Sequence, residues 1–164
     1  MRKNLRVYGL LCMLLICAAA TASAAPTDYS GTWVLDKAKS GELPRMWQNA
    51  DSIELVVKQD KDQISVETKG VPSSGALTYK LDGSKTTAEM GGPMPGKATL
   101  SAKAQSDGKL ELNTVREANF QGSAVTFTIK EVWELADNGK TLKVKRTAET
   151  PRGTQEYNLI FTRK

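Results

Sequence analysis

Short runs of alternating apolar and polar residues, each closed by a tight-turn pair, recur along residues 29–163 and leave room for little else. The alternation indicates strands, because successive side chains of a strand point to opposite faces of its sheet. Asp82-Gly83, Asp107-Gly108 and Asn138-Gly139 are strong hairpin signals, since Asp, Asn and Gly all tolerate a positive φ. We predict strands over 31–36, 52–59, 64–68, 77–81, 85–90, 97–106, 109–119, 123–136, 140–150 and 153–163.

The connections between these strands select the architecture. Most of them are tight antiparallel turns, so the chain forms a meander of about eight to ten strands. A flat meander would leave two exposed edges, whereas closure into an up-and-down barrel removes both. A sandwich would require longer crossovers than the sequence offers. The predicted fold class is therefore all-β, a single antiparallel up-and-down β-barrel, with one short helix or loop over residues 37–50 after the first strand.

The first 24 residues have the pattern of a secretory signal peptide. Three basic residues within 1–6 precede an almost wholly apolar run at 7–20. Ala22-Ser23-Ala24 then offers the small residues that a signal peptidase reads. The apolar run is shorter than the roughly 20 residues that span a bilayer, so a membrane anchor is not expected.

This pattern predicts the bounds of the mature domain and its cellular location. We predict cleavage after Ala24, a barrel domain over 25–164 without a membrane span, and a periplasmic or secreted location. The alternative is a lipoprotein anchored at Cys17, although the bulky Ile16 before it is a poor match to such a cleavage site.

Cleavage would leave a nearly neutral chain without the most reactive side-chain types. The sequence has 23 basic and 18 acidic residues, and loss of the three basic residues in 1–24 lowers the net charge from +5 to +2. No His occurs, and both Cys precede residue 25, so imidazole bases, thiol nucleophiles, disulfides and zinc or copper sites are not expected. A net charge of +2 does not indicate the strongly basic surface with which proteins bind nucleic acid. We predict no metal, no cofactor and no nucleic-acid partner.

The beginning of the first strand carries a family resemblance. Residues 29–36 contain Gly31-Thr32-Trp33, which resembles the Gly-x-Trp opening of lipocalins and fatty-acid-binding proteins, the calycin-type barrels. Together with 37–40, 131–135 and 150–154, this stretch is similar to small secreted bacterial lipocalin-like proteins. The resemblance implies that Trp33 closes one end of the barrel. It also implies carriage of a small apolar or amphipathic molecule.

Polar residues occur on the apolar face of the last three predicted strands. If Asn138-Gly139 and Pro151-Arg152 are two-residue turns, Glu131 faces Arg146 and Arg146 faces Tyr157. A longer loop at Asn138-Gly139 would shift the pairing by two residues and keep the same side chains inward. Either register makes Glu131, Arg146 and Tyr157 interior neighbours.

The strand before them adds a second cation. Arg116 continues the inward face of Leu112 and Thr114, and pairing across the turn after it sets it beside Phe127. A lone buried Arg is unfavourable unless it is paired or hydrated, and Glu131 compensates only one of two. A bound carboxylate would supply the second partner. By resemblance to fatty-acid-binding proteins, where late-strand Arg and Tyr hold the ligand carboxylate, we predict a ligand site at Arg116, Glu131, Arg146 and Tyr157.

Two other interpretations stay open. Glu131–Arg146 can be a structural ion pair that sets the strand register, with Arg116 reaching solvent at the barrel mouth. The protein can then be a non-enzymatic interaction barrel of the cell envelope with a filled interior, although small inward residues at Ala98, Ala102 and Ala104 favour a cavity. Trp47, in the long connection, is either a lid or an ordinary anchor.

An enzyme is the third class considered. Glu131 is the one interior acid or base that the pattern supplies, and the Arg beside it would hold it ionised. A single such carboxylate lacks the partner that hydrolysis usually requires. We therefore predict no enzymatic activity.

Overall fold

The computed structural model describes residues 27–72, 75–91, 95–120 and 122–164, so the predicted signal peptide lies outside the described residues. Within these ranges ten strands form one antiparallel sheet, in the order β4-β3-β2-β1-β10-β9-β8-β7-β6-β5. The strands are β1 Gly31–Leu35, β2 Glu54–Gln59, β3 Gln63–Lys69, β4 Leu77–Lys80, β5 Thr86–Met90, β6 Gly96–Ala104, β7 Leu110–Phe120, β8 Ser123–Ala136, β9 Thr141–Thr150 and β10 Gly153–Arg163. One α-helical turn, α1 Arg45–Gln48, and one 3₁₀ turn, Asp137–Gly139, complete the described elements.

The strand order confirms the predicted all-β meander and curls it into a barrel. β1 pairs with β2 on one side and with the last strand, β10, on the other. This pairing brings the two ends of the chain's meander together, as Trp33 faces both Leu55 and Arg163. The barrel consists of ten antiparallel strands and contains almost no helix.

The two exposed edges of a flat meander predicted a fully closed barrel. This prediction is wrong at one place, where the barrel stays open. Among the described residues, β4 and β5 share no backbone ladder. They are joined instead by the Thr86 hydroxyl, which donates to the Thr78 carbonyl at 2.7 Å. The physical reason is that β4 and β5 are short, with four and five residues, so the gap leaves few backbone groups unpaired.

The predicted registers of the late strands are confirmed. Glu131 pairs with Arg146, Arg146 with Tyr157, and Arg116 with Phe127. The β8–β9 turn keeps this register because Asp137, Asn138 and Gly139 all have positive φ, at 52°, 55° and 80°. Left-handed residues of this kind match the right-handed twist of the flanking strands.

Large aromatic side chains fill one part of the interior. Trp33, Trp133, Tyr29 and Phe161 are all buried, with at most 1 % of each exposed. The Tyr29 ring meets Trp133 edge to face at 5.8 Å, and its hydroxyl lies 3.0 Å from both the Trp133 and the Gly108 carbonyls. Burial raises the pKa of Tyr29 to about 12, so the phenol stays a hydrogen-bond donor.

No helix in the described ranges is long and apolar enough to cross a membrane.

Candidate functional site

The barrel encloses a cavity of about 580 Å³, within the size range of small-molecule sites. Its wall is mainly apolar and is drawn from strands all around the barrel. The apolar lining includes Leu55, Val66, Leu77, Val144, Leu159 and Phe161. An interior filled by side chains would leave no such space, so the geometry favours a cavity over a filled interior. The small residues from which a cavity was predicted do not line it: Ala98 and Ala102 are buried elsewhere in the core, and Ala104, near the end of β6, is exposed.

Three charged side chains enter this apolar wall. Arg116, Glu131 and Arg146 all line the cavity. The Arg146 guanidinium donates to Glu131 Oε1, and the Trp133 indole N–H donates to Glu131 Oε2 at 3.0 Å. Only 17 % of the Glu131 side chain and 18 % of the Arg146 side chain are exposed. Both carboxylate oxygens therefore have donors, and the Glu131 charge is compensated by Arg146.

Arg146 also connects the cavity to α1. Its guanidinium carbon lies 5.6 Å from the centre of the Trp47 ring, a cation–π distance. Its Nε is buried and has no hydrogen-bond partner among the described side chains and backbone. Trp47 itself packs edge to face on Phe161 at 6.5 Å and lines the cavity. Trp47 is therefore a buried residue that forms part of the cavity wall.

The structure does not bring Tyr157 to the cavity. This tyrosine is buried and faces Arg146 across the β9–β10 ladder, as predicted, but it is not among the lining residues. Its hydroxyl donates to Gln155 Oε1 at 2.6 Å. A side-chain partner two residues earlier on the same face satisfies the phenol, so the register alone could not place it at the site.

Two lining hydroxyls were not predicted as site residues. The Tyr79 and Thr114 hydroxyl oxygens lie 2.9 Å apart, and both residues are buried and line the cavity. Burial first, and then the nearby Glu131 carboxylate, raise the pKa of Tyr79, so its phenol keeps its proton. The sequence held a signal for both, since each occupies an inward position of its strand. Their contact, between β4 and β7, depends on the tertiary fold.

The cavity reaches the surface near α1 and the loops beside it. Met46 is 63 % exposed and lines the cavity, as do the exposed Pro72, Gly75 and Gly91. An exposed apolar side chain next to these loops marks the mouth. Residues 92–94, between β5 and β6, lie outside the described residues.

Trp33 lies away from the cavity, within the aromatic part of the core. It is fully buried and is not among the lining residues. Its indole N–H donates to the Tyr29 carbonyl at 2.9 Å, and the Arg163 guanidinium carbon lies 4.3 Å above its ring. Arg163 is in turn fixed by the Gly139 and Ser30 carbonyls. Trp33 therefore sits under a cation at the barrel end that carries the β8–β9 turn.

The described residues were also considered as possible metal ligands. Among the described residues no three His, Cys, Asp or Glu side chains come close enough together to hold a metal ion.

Comparison with known proteins agrees on the fold. No protein-family model matches the chain. No curated protein matches it significantly in sequence. Among solved structures it is similar to zebrafish ileal bile acid-binding protein complexed with cholic acid, with a TM-score of 0.50 and 14% sequence identity. The superposition covers 83% of this chain and 98% of the zebrafish chain. At this identity the likeness shows that the two chains share the fatty-acid-binding-protein-like calycin barrel fold.

Proposed function

We propose that this protein binds a small amphipathic ligand with an anionic group inside its barrel, and that it binds rather than catalyses. The observation that carries the proposal is a cavity of about 580 Å³ with an apolar wall and a local cluster of charges. Small-molecule sites combine these features, since apolar surface supplies affinity and a few polar groups fix the orientation.

The charged side chains of the cavity wall favour an anionic ligand over a cationic one. Two guanidinium groups, those of Arg116 and Arg146, and one carboxylate, that of Glu131, line the cavity among the described residues, so basic side chains outnumber acidic ones in its wall. Glu131 already has donors on both oxygens, which leaves it little capacity to hold a cationic ligand. A guanidinium can give a carboxylate two parallel hydrogen bonds, and burial strengthens them. The similar zebrafish protein, which is described as a complex with cholic acid, supports carriage of a small ligand by this type of barrel.

Paired titrations with octadecanoate and octadecanol test the proposal, with intrinsic tryptophan fluorescence as the readout. Trp47 and Trp133 both line the cavity and report on its occupancy. We expect the acid to bind more tightly than the alcohol. The Arg116→Met variant should lose about tenfold or more in affinity for the acid, since hydrogen bonds to charged groups contribute roughly 1.5–3 kcal/mol.

Arg152→Met is the matched control for this experiment. Arg152 is exposed in the β9–β10 turn and does not line the cavity, so its loss should leave acid binding unchanged. Equal response to acid and alcohol would refute an anion site. Absence of any response would favour the interaction barrel without a small-molecule ligand.

The proposed site of action is the periplasm or the extracellular medium. This part of the proposal is supported by the basic, apolar and small-residue pattern of residues 1–24. Intact-mass measurement on the exported protein should give a chain that starts at Ala25. A mass that fits an acylated start at Cys17 would instead establish a lipoprotein.

A further inference from the structure

We infer that the Tyr79–Thr114 hydroxyl pair is a second polar contact for the ligand, and that it selects amphipathic anions that also carry a hydroxyl or carbonyl oxygen. The inference rests on the proposed function and narrows its ligand class. It concerns selectivity for an uncharged oxygen, which the Arg116 and Arg146 argument leaves open.

The Tyr79–Thr114 pair has hydrogen-bond capacity that its own contact does not use. Each hydroxyl has one proton to donate and two lone pairs. The single bond between Tyr79 and Thr114, at 2.9 Å, uses one proton, and the two hydroxyls make no other bond to any described residue. Whichever oxygen donates, one O–H remains. With only 5 % of Tyr79 and 7 % of Thr114 exposed, that O–H lies at a buried cavity wall.

A buried donor in an apolar cavity gains more from a ligand oxygen than from a hydrocarbon segment. Burying a hydroxyl without a hydrogen bond is unfavourable, and most buried polar groups in proteins have a partner. The raised pKa of Tyr79 keeps its phenol protonated at neutral pH, so the pair stays a neutral donor and acceptor. It therefore recognises an uncharged oxygen, whereas the guanidinium groups recognise the anion.

The register places this pair beside the charged cluster. Thr114 precedes Arg116 by two residues on β7, so the two share the inward face and their Cα atoms are about 7 Å apart. Thr114 pairs with Ile129, the inward neighbour of Glu131 on β8. The polar groups thus form one strip across β7 and β8, and Tyr79 reaches the strip from β4. A ligand that lies along this strip meets the anion site at one point and the hydroxyl pair at another.

This arrangement predicts an unusual response to hydroxylation of the ligand. In a uniformly apolar cavity, a hydroxyl added to a fatty acid chain weakens binding, because the group loses water and gains no partner. With the hydroxyl pair as partner, a hydroxyl at the right chain position strengthens binding instead. Because the strip separates the two contacts by several ångströms, the favoured position lies well within the chain, not next to the carboxylate.

The experiment compares octadecanoate with its 6-, 8-, 10- and 12-hydroxy derivatives by competition and calorimetry. For the unmodified protein we expect at least one hydroxy acid to bind about tenfold more tightly than octadecanoate. In Tyr79→Phe/Thr114→Val this preference, measured as the ratio of the two affinities in the same variant, should fall to about one or reverse. Tyr79→Phe alone, the milder change, should give an intermediate preference. Thr126→Val, at an exposed position of β8, is the matched control and should keep the full preference.

The outcomes separate the two proposals. Octadecanoate binding with no hydroxy acid favoured overturns the hydroxyl-pair inference and leaves the proposed function in place. A preference that survives in the double variant assigns the contact to another lining group, such as Thr68, and also overturns it. Failure of octadecanoate itself to bind the unmodified protein refutes the proposed function first. The comparison of ligands on the unmodified protein can refute the inference by itself. A folding defect in the double variant would therefore not leave the inference untested.

Discussion

Replacing Arg146 with Met is expected to destabilise the protein by roughly 3 kcal/mol, near the lower end of the range for breaking a buried ion pair. The variant leaves the Glu131 carboxylate in a mainly apolar wall, with the Trp133 indole as its one remaining donor among the described residues. It also removes the cation that lies over Trp47. Chemical denaturation should show a lower midpoint with little change in its slope, because the surface exposed on unfolding is nearly unchanged.

The double variant Glu131→Gln/Arg146→Met should recover much of that loss. Once residue 131 is neutral, the loss of Arg146 strands no buried carboxylate, and replacing both members of a buried pair is often nearly neutral. Glu131→Gln alone should be tolerated better than Arg146→Met, and it should leave octadecanoate binding unchanged or tighter, because a competing negative charge is gone. If Arg146→Met proves as stable as the unmodified protein, the pair contributes nothing and the structural interpretation of Glu131–Arg146 fails.

Trp33→Ala is the second large expected effect, at about 3–5 kcal/mol of lost stability. The indole is fully buried, donates to the Tyr29 carbonyl and lies under the Arg163 guanidinium. Its removal would empty the barrel end and leave the Tyr29 carbonyl without this donor. Thermal unfolding followed by circular dichroism measures the loss.

Trp33→Phe separates the contributions of packing and polarity. Phe keeps an aromatic face for Arg163 and loses the indole N–H, so we expect it to recover most of the stability. Because Trp33 does not line the cavity, the folded fraction of either variant should bind octadecanoate as the unmodified protein does. A selective loss of affinity without loss of stability would contradict the placement of Trp33 outside the site.

The strands and their pairings were predictable because local rules determine them. Alternation placed Leu112, Thr114 and Arg116 on one face, and β7 and β8 keep that arrangement. The turn pairs set the register: once Asn138 and Gly139 close the β8–β9 turn, Glu131 must face Arg146, because a slip of one residue would turn the apolar face outward. A short helix or a loop was likewise expected after β1, and the connection contains the helical turn Arg45–Gln48.

The candidate site was predictable in part. Register showed which charged residues face inward, and Arg116, Glu131 and Arg146 do line the cavity. It could not show that Tyr157 turns to Gln155, because a long side chain chooses its partner among groups that only the folded structure brings near. Nor could it pair Tyr79 with Thr114, since these residues are 35 positions apart and their strands are not neighbours in the sheet.

The sequence by itself determined the strand pattern, the turn positions and the inward face of each strand, because period-two alternation and positive-φ turn residues act over a few neighbouring positions. Only the tertiary structure decided the incomplete closure at β4 and β5, the volume of the cavity and the contacts across it. These features depend on how the whole sheet curves and on which side chains meet from strands far apart in sequence. No local sequence pattern encodes which distant strands meet, so the Tyr79–Thr114 hydroxyl pair and the place of Trp47 in the cavity wall became visible only in the folded barrel.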